Sequence, residues 1–312
     1  MRVAPNGWII LDKPLGLGST QAVAAVKRNL REAGYGKQVK VGHGGTLDPL
    51  ATGVLPIAVG EATKLCGRML DASKQYEFTV QFGRETDTLD LEGKVVAAID
   101  FQPGFGAVEK VLADRFTGPI EQVPPAYSAL MIDGQRAYDR ARAGEEVAMP
   151  TRLVTVYGWE CVAEGLAGAR DPREQYATLR VTVSKGTYIR SLARDIARAL
   201  GTVGHVTMLR RLKAGSFAIE QAISLDKLNE IGKGARLEQV LLPLETGLVD
   251  IPARDLSPEQ ARAVRQGRVL TGMPFPDGLC WTRAGGVPVA LAELSGGDLK
   301  VVRGFNLPDV AE

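Results

Sequence analysis

The sequence lacks the motifs that mark several large enzyme classes. It has no GxxxxGK[ST] phosphate loop, no GxGxxG dinucleotide fingerprint and no GxSxG nucleophile elbow. Its two histidines, His43 and His205, argue against a histidine-rich metal site. Its three cysteines are too far apart for zinc-ligand pairs and odd in number for a disulfide framework. We therefore expect no cofactor and no metal, which leaves carboxylates, tyrosines and arginines as candidate catalytic groups.

The chain also lacks a strong charge excess and any long apolar run. Its 38 basic and 36 acidic residues leave a formal net charge of +2, so total charge gives no signal for a nucleic-acid partner. The apolar run at residues 8–11 is shorter than a signal-peptide core, and no segment approaches the length of a membrane span. We expect a globular cytoplasmic protein in a reducing compartment, without a membrane partner.

Length and proline positions predict two domains. A chain of 312 residues exceeds the usual size of one domain. Prolines cluster between residues 243 and 258, so we place a main domain at residues 1–250 and a small one at 251–312. In the small domain, a capping-box pattern at Ser257 predicts a helix start, and residues 289–305 predict a β-hairpin.

Strands are predicted at three places in the main domain. Apolar and polar residues alternate at 76–82 and 179–183, which is typical of half-buried strands, and residues 8–11 form a short buried run. The stretch at about 124–150 mixes tyrosines and arginines with turn residues. We interpret it as an excursion from the core.

Helices are predicted between these strands. Ser19 or Thr20 can cap a helix that Gly34 ends in a left-handed conformation. A second helix is predicted at residues 189–200, ended by Gly201. The interleaved strands and helices predict an α/β main domain.

Asp48 has the most unusual setting of the carboxylates. It lies in the segment 42–60, which has five glycines and two prolines among apolar residues and is predicted to be a constrained loop leading into buried structure. A charge in such surroundings needs a partner. The alternative is that Asp48 only caps a turn before Pro49, which is the more common role of an Asp-Pro pair.

The segment GHGGTLDPLATGVL at residues 42–55, followed by PIAVGEATK, resembles the signature of the bacterial TruB family of tRNA pseudouridine synthases. Further matches follow in the same order over most of the first 215 residues, at 74–76, 86–88, 125–130, 184–190 and 205–212. There are two departures. Gly44 stands where a small residue other than glycine is expected, and its lack of a side chain should loosen the loop. The linker at residues 32–40 is also somewhat long.

The resemblance implies both a fold and an activity. The fold is an α+β pseudouridine-synthase catalytic domain at 1–250, with a mixed, largely antiparallel sheet flanked by helices, and a β-rich PUA-like domain at 251–312. The activity is isomerisation of uridine to pseudouridine at position 55 in the T loop of tRNA. No oxidation state changes, so one carboxylate can serve without a cofactor. Asp48 would attack the ribose, add to the base or abstract a proton.

The resemblance also implies a partner for this carboxylate. Arg190 matches the family arginine that pairs with the catalytic aspartate, which would keep the carboxylate ionised. Spacing alone favours a different interpretation, because Arg190, Arg194 and Arg198 recur every four residues, as on a solvated helix face.

Four further residues are candidates for substrate contact. Tyr76 matches the family's active-site tyrosine and could stack on an extruded base or relay a proton. Tyr188 and Leu209 match positions that line the uridine pocket. Core packing is the alternative for all three. His43 could stack on RNA bases, and its flanking glycines argue against a place in a packed helix or strand.

Base flipping costs about a few kcal/mol, and contacts with the rest of the tRNA must offset this free energy. Residues 185–213 contain seven basic residues and one acidic residue, which indicates a phosphate-binding surface or a solvated face. The excursion at 124–150 is a second candidate contact. The C-terminal domain is a third, although its seven basic and seven acidic residues give it no support from charge. We expect a monomer.

Three alternative functions remain open at this point. A pseudouridine synthase acting on ribosomal RNA would share the aspartate chemistry. A tRNA-binding chaperone with secondary catalysis would share the RNA contacts, although Asp48, Tyr76 and Arg190 together argue against a dead site. A glycosidase is remote, because such enzymes commonly need two carboxylates.

Overall fold

The computed structural model divides the chain into two units, each with a hydrophobic core. Unit 1 is formed by residues 1–48, 53–70 and 214–312, and unit 2 by residues 49–52 and 71–213. The structure describes residues 5–100, 103–104, 106–165, 175–233 and 237–307. Within these ranges, no helix combines the length and hydropathy that a membrane crossing requires.

The N-terminal part of unit 1 is a small sheet with helices. Its elements are β1 (Gly7–Lys13), α1 (Ser19–Glu32), β2 (Val41–His43), β3 (Ala51–Val59, whose first two residues belong to unit 2), a 3-10 helix (Gly60–Leu65) and α2 (Cys66–Asp71, whose last residue belongs to unit 2). Both β1 and β2 pair antiparallel with β3. Trp8 is fully buried, and its indole nitrogen donates to the carbonyl of Leu244 at 3.1 Å. This hydrogen bond ties β1 to the C-terminal part of the same unit.

Unit 2 is built around five strands in the order β12-β4-β11-β10-β7. Its elements are β4 (Lys74–Phe82), β5 (Arg84–Thr86), β6 (Val95–Ala98), α3 (Ala107–Arg115), β7 (Gly118–Gln122), β8 (Met131–Ile132), β9 (Gln135–Arg136), α4 (Ala137–Arg142), β10 (Arg152–Glu164), β11 (Tyr176–Val183), α5 (Ile189–Ala199) and β12 (Gly204–Ala214, whose last residue belongs to unit 1). The pairs β4 with β11, β11 with β10 and β10 with β7 are antiparallel. Apolar residues of β4, β11 and α5 form one buried cluster.

The C-terminal part of unit 1 adds a second, smaller sheet. Its elements are β13 (Phe217–Ala218), β14 (Ile223–Ser224), α6 (Leu225–Lys233), β15 (Ala253–Asp255), α7 (Pro258–Arg265), β16 (Gly278–Ala284), β17 (Val287–Ser295) and β18 (Asp298–Gly304), with 3-10 helices at Ile219–Gln221, Leu237–Val240 and Leu244–Leu248. The strands β15 to β18 form a four-stranded sheet in chain order, and its apolar residues form their own cluster with α7. The β-rich C-terminal part is therefore confirmed, and the boundary at residue 250 stays a prediction.

Most predicted elements are confirmed. The predicted strands correspond to β1, β4 and β11, and the hairpin to β17 and β18. Gly34 and Gly201 follow α1 and α5 with φ of 87° and 80°, the left-handed ends that only glycine adopts cheaply. Ser257 accepts a hydrogen bond from Gln260 N at 3.2 Å, as a capping box requires.

Two local predictions are wrong. Ser19 is already the first residue of α1 and does not cap it, because Gly18 holds the N-cap position. The segment 42–60 is loop only at residues 44–50, because Ala51–Val59 forms a buried nine-residue strand. Its glycines and prolines suggested a loop, yet Pro56 sits within β3 opposite Ile10 of β1, and β2 pairs with the following residues, 57–59.

Candidate functional site

The loop at residues 44–50 carries Asp48 in unit 1. The hydroxyl of Ser19 donates to the Leu47 carbonyl at 3.0 Å and accepts from the Leu47 amide at 2.8 Å, and both hydrogen bonds are buried. Leu47 is 4% exposed, whereas Asp48 is half-buried. Asp48 therefore follows directly after a residue whose amide and carbonyl are both hydrogen-bonded, and Asp48 itself keeps partial access to solvent.

Gly44 tightens this loop. A Cβ atom at Gly44 would lie 2.7 Å from the Cβ of Met69, closer than real contacts allow. The amide of Gly44 also donates to the Pro56 carbonyl at 2.8 Å. Met69 fills the space that a larger residue would take, so the expectation that Gly44 loosens the loop is wrong.

The residues directly after Asp48 belong to unit 2. In this segment, Pro49 to Thr52, the hydroxyl of Thr52 lies 3.4 Å from the Leu209 carbonyl, to which it donates. The same hydroxyl accepts a hydrogen bond from the Arg210 guanidinium at 3.4 Å. The chain leaving Asp48 is thus attached to β12 beside Leu209, a predicted pocket residue.

Tyr76 is the third residue of β4, opposite Val181 of β11. It is partly buried and packs against the core cluster of unit 2, which Leu209 also contacts. Among the residues that the structure describes, the Tyr76 hydroxyl has no hydrogen-bond partner. Its ring is therefore held by packing against the core of unit 2.

Lys74 precedes Tyr76 by two residues and lies on the same face of β4. Burial lowers the pKa of Lys74 to about 8, with further lowering from Arg211 and Lys185 and an opposing effect of Asp71. Its ammonium donates to the Ala72 carbonyl at 2.6 Å.

Arg190 is a buried residue, only 7% exposed. Its guanidinium donates to the Thr88 carbonyl at 2.9 Å and to the Tyr127 carbonyl at 3.0 Å. It also lies 3.3 Å from a carboxylate oxygen of Asp90. The solvated-face interpretation is wrong for Arg190, since α5 points this side chain into unit 2.

Asp90 is a site residue that sequence reasoning missed. Its carboxylate accepts from the Thr88 hydroxyl at 2.5 Å and from the Glu92 amide at 3.0 Å. Leu89, which lies between Thr88 and Asp90 in the chain, has a φ of 63°, a costly value for a residue with a side chain. The Thr86-Asp87-Thr88 match pointed to this loop, but no periodic signal marked Asp90 itself.

Tyr188 lies at the N-cap position of α5. Gln122, 1% exposed, clamps its backbone: the amide of Tyr188 donates to the Gln122 side chain at 2.8 Å, and that side chain donates to the Tyr188 carbonyl at 3.1 Å. The guanidinium of Arg152 lies over the Tyr188 ring, 5.6 Å from its centre. Gln122 and Arg152 therefore position a predicted pocket residue, and no sequence pattern marked either of them.

The basic stretch at residues 185–213 is less positive than its sequence suggests. Four of its seven cations form ion pairs with carboxylates: Lys185 with Asp71, Arg190 with Asp90, Arg194 with Asp195 and Arg198 with Glu85. Arg211 is 1% exposed. These carboxylates offset part of the positive charge of the stretch, and its role in phosphate binding stays a prediction.

His43 is the last residue of β2, opposite Ile57 of β3, and is half-buried. The inference from its flanking glycines that it lies outside a strand is wrong. The excursion at 124–150 contains β8, β9 and α4, and Arg140 there pairs with Glu145 at 2.7 Å.

The structure thus brings Tyr76, Tyr188, Arg190 and Leu209 into unit 2, while His43 and Asp48 belong to unit 1. The pairing of Asp48 with Arg190 stays a prediction. Within unit 2, the observed acidic partner of Arg190 is Asp90.

Comparison with known proteins gives consistent matches. Residues 31–189 match the model of the TruB family pseudouridylate synthase N-terminal domain, and residues 190–249 match the tRNA pseudouridylate synthase B C-terminal domain. A protein of Novosphingobium aromaticivorans named tRNA pseudouridine synthase B is 73% identical, covering 98% of this chain and 99% of that protein. A protein of the same name from Zymomonas mobilis is 55% identical, covering 97% of each chain.

A solved structure of an H/ACA ribonucleoprotein bound to a substrate RNA containing 2′-deoxyuridine is similar over 97% of this chain and 85% of that chain, with a TM-score of 0.71 and 25% identity. The family models together span more than half of the sequence, and the relatives match it nearly from end to end. The chain belongs to the TruB family of pseudouridylate synthases.

Proposed function

We propose that this protein isomerises the uridine at position 55 in the T loop of tRNA to pseudouridine, with Asp48 as its catalytic carboxylate. The observation that carries the proposal is family membership, since relatives that match almost the whole chain are named tRNA pseudouridine synthase B. Two hydrogen bonds from Ser19 anchor Leu47, and Asp48 beside it is half-buried. Both observations support the assignment of the chemistry to this loop.

The reaction is an isomerisation. The bond between the uracil nitrogen and the ribose breaks, a bond between a ring carbon and the ribose forms, and the proton on that carbon is lost while the nitrogen gains one. No electrons are exchanged with another molecule. A single carboxylate can serve as nucleophile or base for this rearrangement once the nucleotide is flipped out of its stack.

The other roles follow the arrangement within each unit. Tyr76 stacks on the flipped base and has a phenol free to relay a proton. Arg190 supplies a fixed positive charge for the carboxylate, since Asp90 and two carbonyls already orient its guanidinium. Tyr188 and Leu209 line the uridine pocket, and His43 contacts RNA beside the Asp48 loop.

We further propose a monomeric cytoplasmic enzyme whose catalytic domain ends at residue 250. The excursion at 124–150 and the PUA-like residues 251–312 make additional tRNA contacts. Deletion of residues 251–312 is expected to weaken binding of full-length tRNA, and unchanged affinity would contradict this role.

Two assays test the proposal. Tritium at carbon 5 of uridine in tRNA is released as pseudouridine forms, so the wild type should release it and Asp48→Asn should not. Mass-spectrometric mapping of the same tRNA should place pseudouridine at position 55, and a transcript with cytidine at 55 should stay unmodified. Modification of ribosomal RNA in place of tRNA, or of another tRNA position, would overturn the substrate assignment.

A further inference from the structure

A basic cleft lies at the C-terminal end of α1 in unit 1. It has a volume of about 290 Å³ and is formed by α1 together with the long linker at residues 32–40. Lys27, Arg31 and Lys37 line it, and no carboxylate does. The exposed Ala24 and the half-buried Val39 give it an apolar wall, beneath which Leu30 is buried.

The linker has a defined structure. Gly34 and Gly36 have φ of 87° and 83°, which turn the chain sharply after α1. Between them, Tyr35 is 6% exposed, its amide donates to the Leu30 carbonyl at 3.1 Å, and its hydroxyl donates to Glu238. The linker is therefore anchored in unit 1 at its middle, and the cleft is a built feature.

The cations of this cleft are not neutralised by the protein. Among the described residues, none of Lys27, Arg31 and Lys37 has a side-chain ion pair or hydrogen bond. Glu32, the acidic residue next along the chain, lies 4.0 Å from Arg28. Three like charges around one cleft repel each other, so an anion bound there lowers the free energy of the arrangement.

We propose that this cleft binds one nucleotide of the tRNA backbone away from the reacting uridine, with the phosphate on the three cations and the nucleoside against Ala24 and Val39. Its volume lies at the lower end of ligand pockets, which suits a single nucleotide. The inference rests on the proposed function, since it takes tRNA as the ligand.

Helix α1 connects the cleft to the Asp48 loop. Ser19, at the first residue of α1, holds Leu47, and Lys27 and Arg31 follow on the same helix. With a rise of about 1.5 Å per residue, they lie about 12 and 18 Å along the helix from Ser19. A folded RNA with one nucleotide at Asp48 spans this separation, so both contacts can be made by one tRNA.

The test is the salt dependence of tRNA binding. A plot of log affinity against log salt has a negative slope. The triple variant Lys27→Gln/Arg31→Gln/Lys37→Gln should make this slope shallower by about 1, because one phosphate contact is lost. The matched control Lys94→Gln/Lys110→Gln/Arg115→Gln removes three exposed cations from unit 2, with no side-chain ion pair among the described residues, and should keep the wild-type slope. Single variants at the three positions guard against misfolding of the triple.

Other outcomes overturn the proposal. Equal slopes for the triple variant and the wild type would show that the cations only form a solvated face or, at Arg31, only favour the helix C-terminus. If titrated uridine monophosphate binds the wild-type cleft while the tRNA slope is the same in the triple variant, the cleft serves a free nucleotide.

The catalytic readout separates this inference from the proposed function. The triple variant should keep the wild-type rate of pseudouridine formation at saturating tRNA and lose kcat/KM. A wild type that binds tRNA with the predicted slopes but forms no pseudouridine would refute the proposed function and leave the cleft assignment standing.

Discussion

The ion pair between Arg190 and Asp90 should be a main determinant of stability in unit 2. Its side chains are 8% and 10% exposed, so neither charge is solvated by water. The change Asp90→Asn keeps the oxygen that accepts from the Thr88 hydroxyl and the Glu92 amide. It removes the negative charge and places an amide NH2 where a carboxylate oxygen faces Arg190. Removal of one partner of a buried pair costs about 3–5 kcal/mol. Arg190 keeps two carbonyl acceptors, so we expect a loss of about 2–4 kcal/mol.

An exposed ion pair of unit 2 provides the control. Lys185 pairs with Asp71 at 2.9 Å, and their side chains are 63% and 66% exposed. Asp71→Asn should therefore cost less than about 1 kcal/mol. Urea denaturation followed by circular dichroism measures both changes. The reasoning is refuted if the two variants lose equal stability. It is also refuted if Asp90→Asn/Arg190→Met is as unstable as the sum of its single changes, because both changes remove the same ion pair and their effects should not add.

Three further outcomes are expected. Gly44→Ala should lower the free energy of unfolding by about 1–3 kcal/mol, because the added Cβ would overpack against the Cβ of Met69. A neutral variant in thermal melts would contradict the contact. Lys74 has a pKa of about 8 in the folded chain against 10.5 ordinarily, so between pH 8 and 10.5 the unfolded state binds more protons than the folded state. The free energy of unfolding should therefore rise by about 1–2 kcal/mol over this pH range, after solvent screening is allowed for. Lys74→Met should remove this rise. If the urea midpoints of Lys74→Met and the wild type depend on pH in the same way, Lys74 is not its cause. Ser19→Ala removes the hydroxyl that hydrogen-bonds the amide and the carbonyl of Leu47. It should slow pseudouridine formation at saturating tRNA while the affinity for tRNA stays near that of the wild type. An unchanged rate would show that the loop needs no such anchor.

Local patterns were enough to predict the strands and helices whose signals are periodic. The alternation at 76–82 and the left-handed glycine after α1 each reflect a property of neighbouring residues, and both are confirmed. The strand Ala51–Val59 was missed because glycine and proline usually interrupt strands, whereas this one is held by pairing with strands on either side.

The site could be predicted only in part, because its support comes from distant residues. Arg190 was selected by family resemblance, since its four-residue spacing suggested a solvated face. Asp90 and Gln122 hold Arg190 and Tyr188 through contacts between residues 66 or more positions apart, and a single sequence contains no signal of such contacts. The exchange of a helix cap for a loop anchor at Ser19 has the same cause.

The central claim is that the carboxylate of Asp48 performs the chemistry. The most direct measurement is the single-turnover rate of pseudouridine formation at saturating tRNA, with tRNA affinity measured on the same samples of wild type and Asp48→Asn. We expect Asp48→Asn to bind tRNA with near wild-type affinity and to react at least about 10²–10⁴-fold more slowly. An Asp48→Asn protein that binds tRNA and forms pseudouridine within about tenfold of the wild-type rate would contradict the claim.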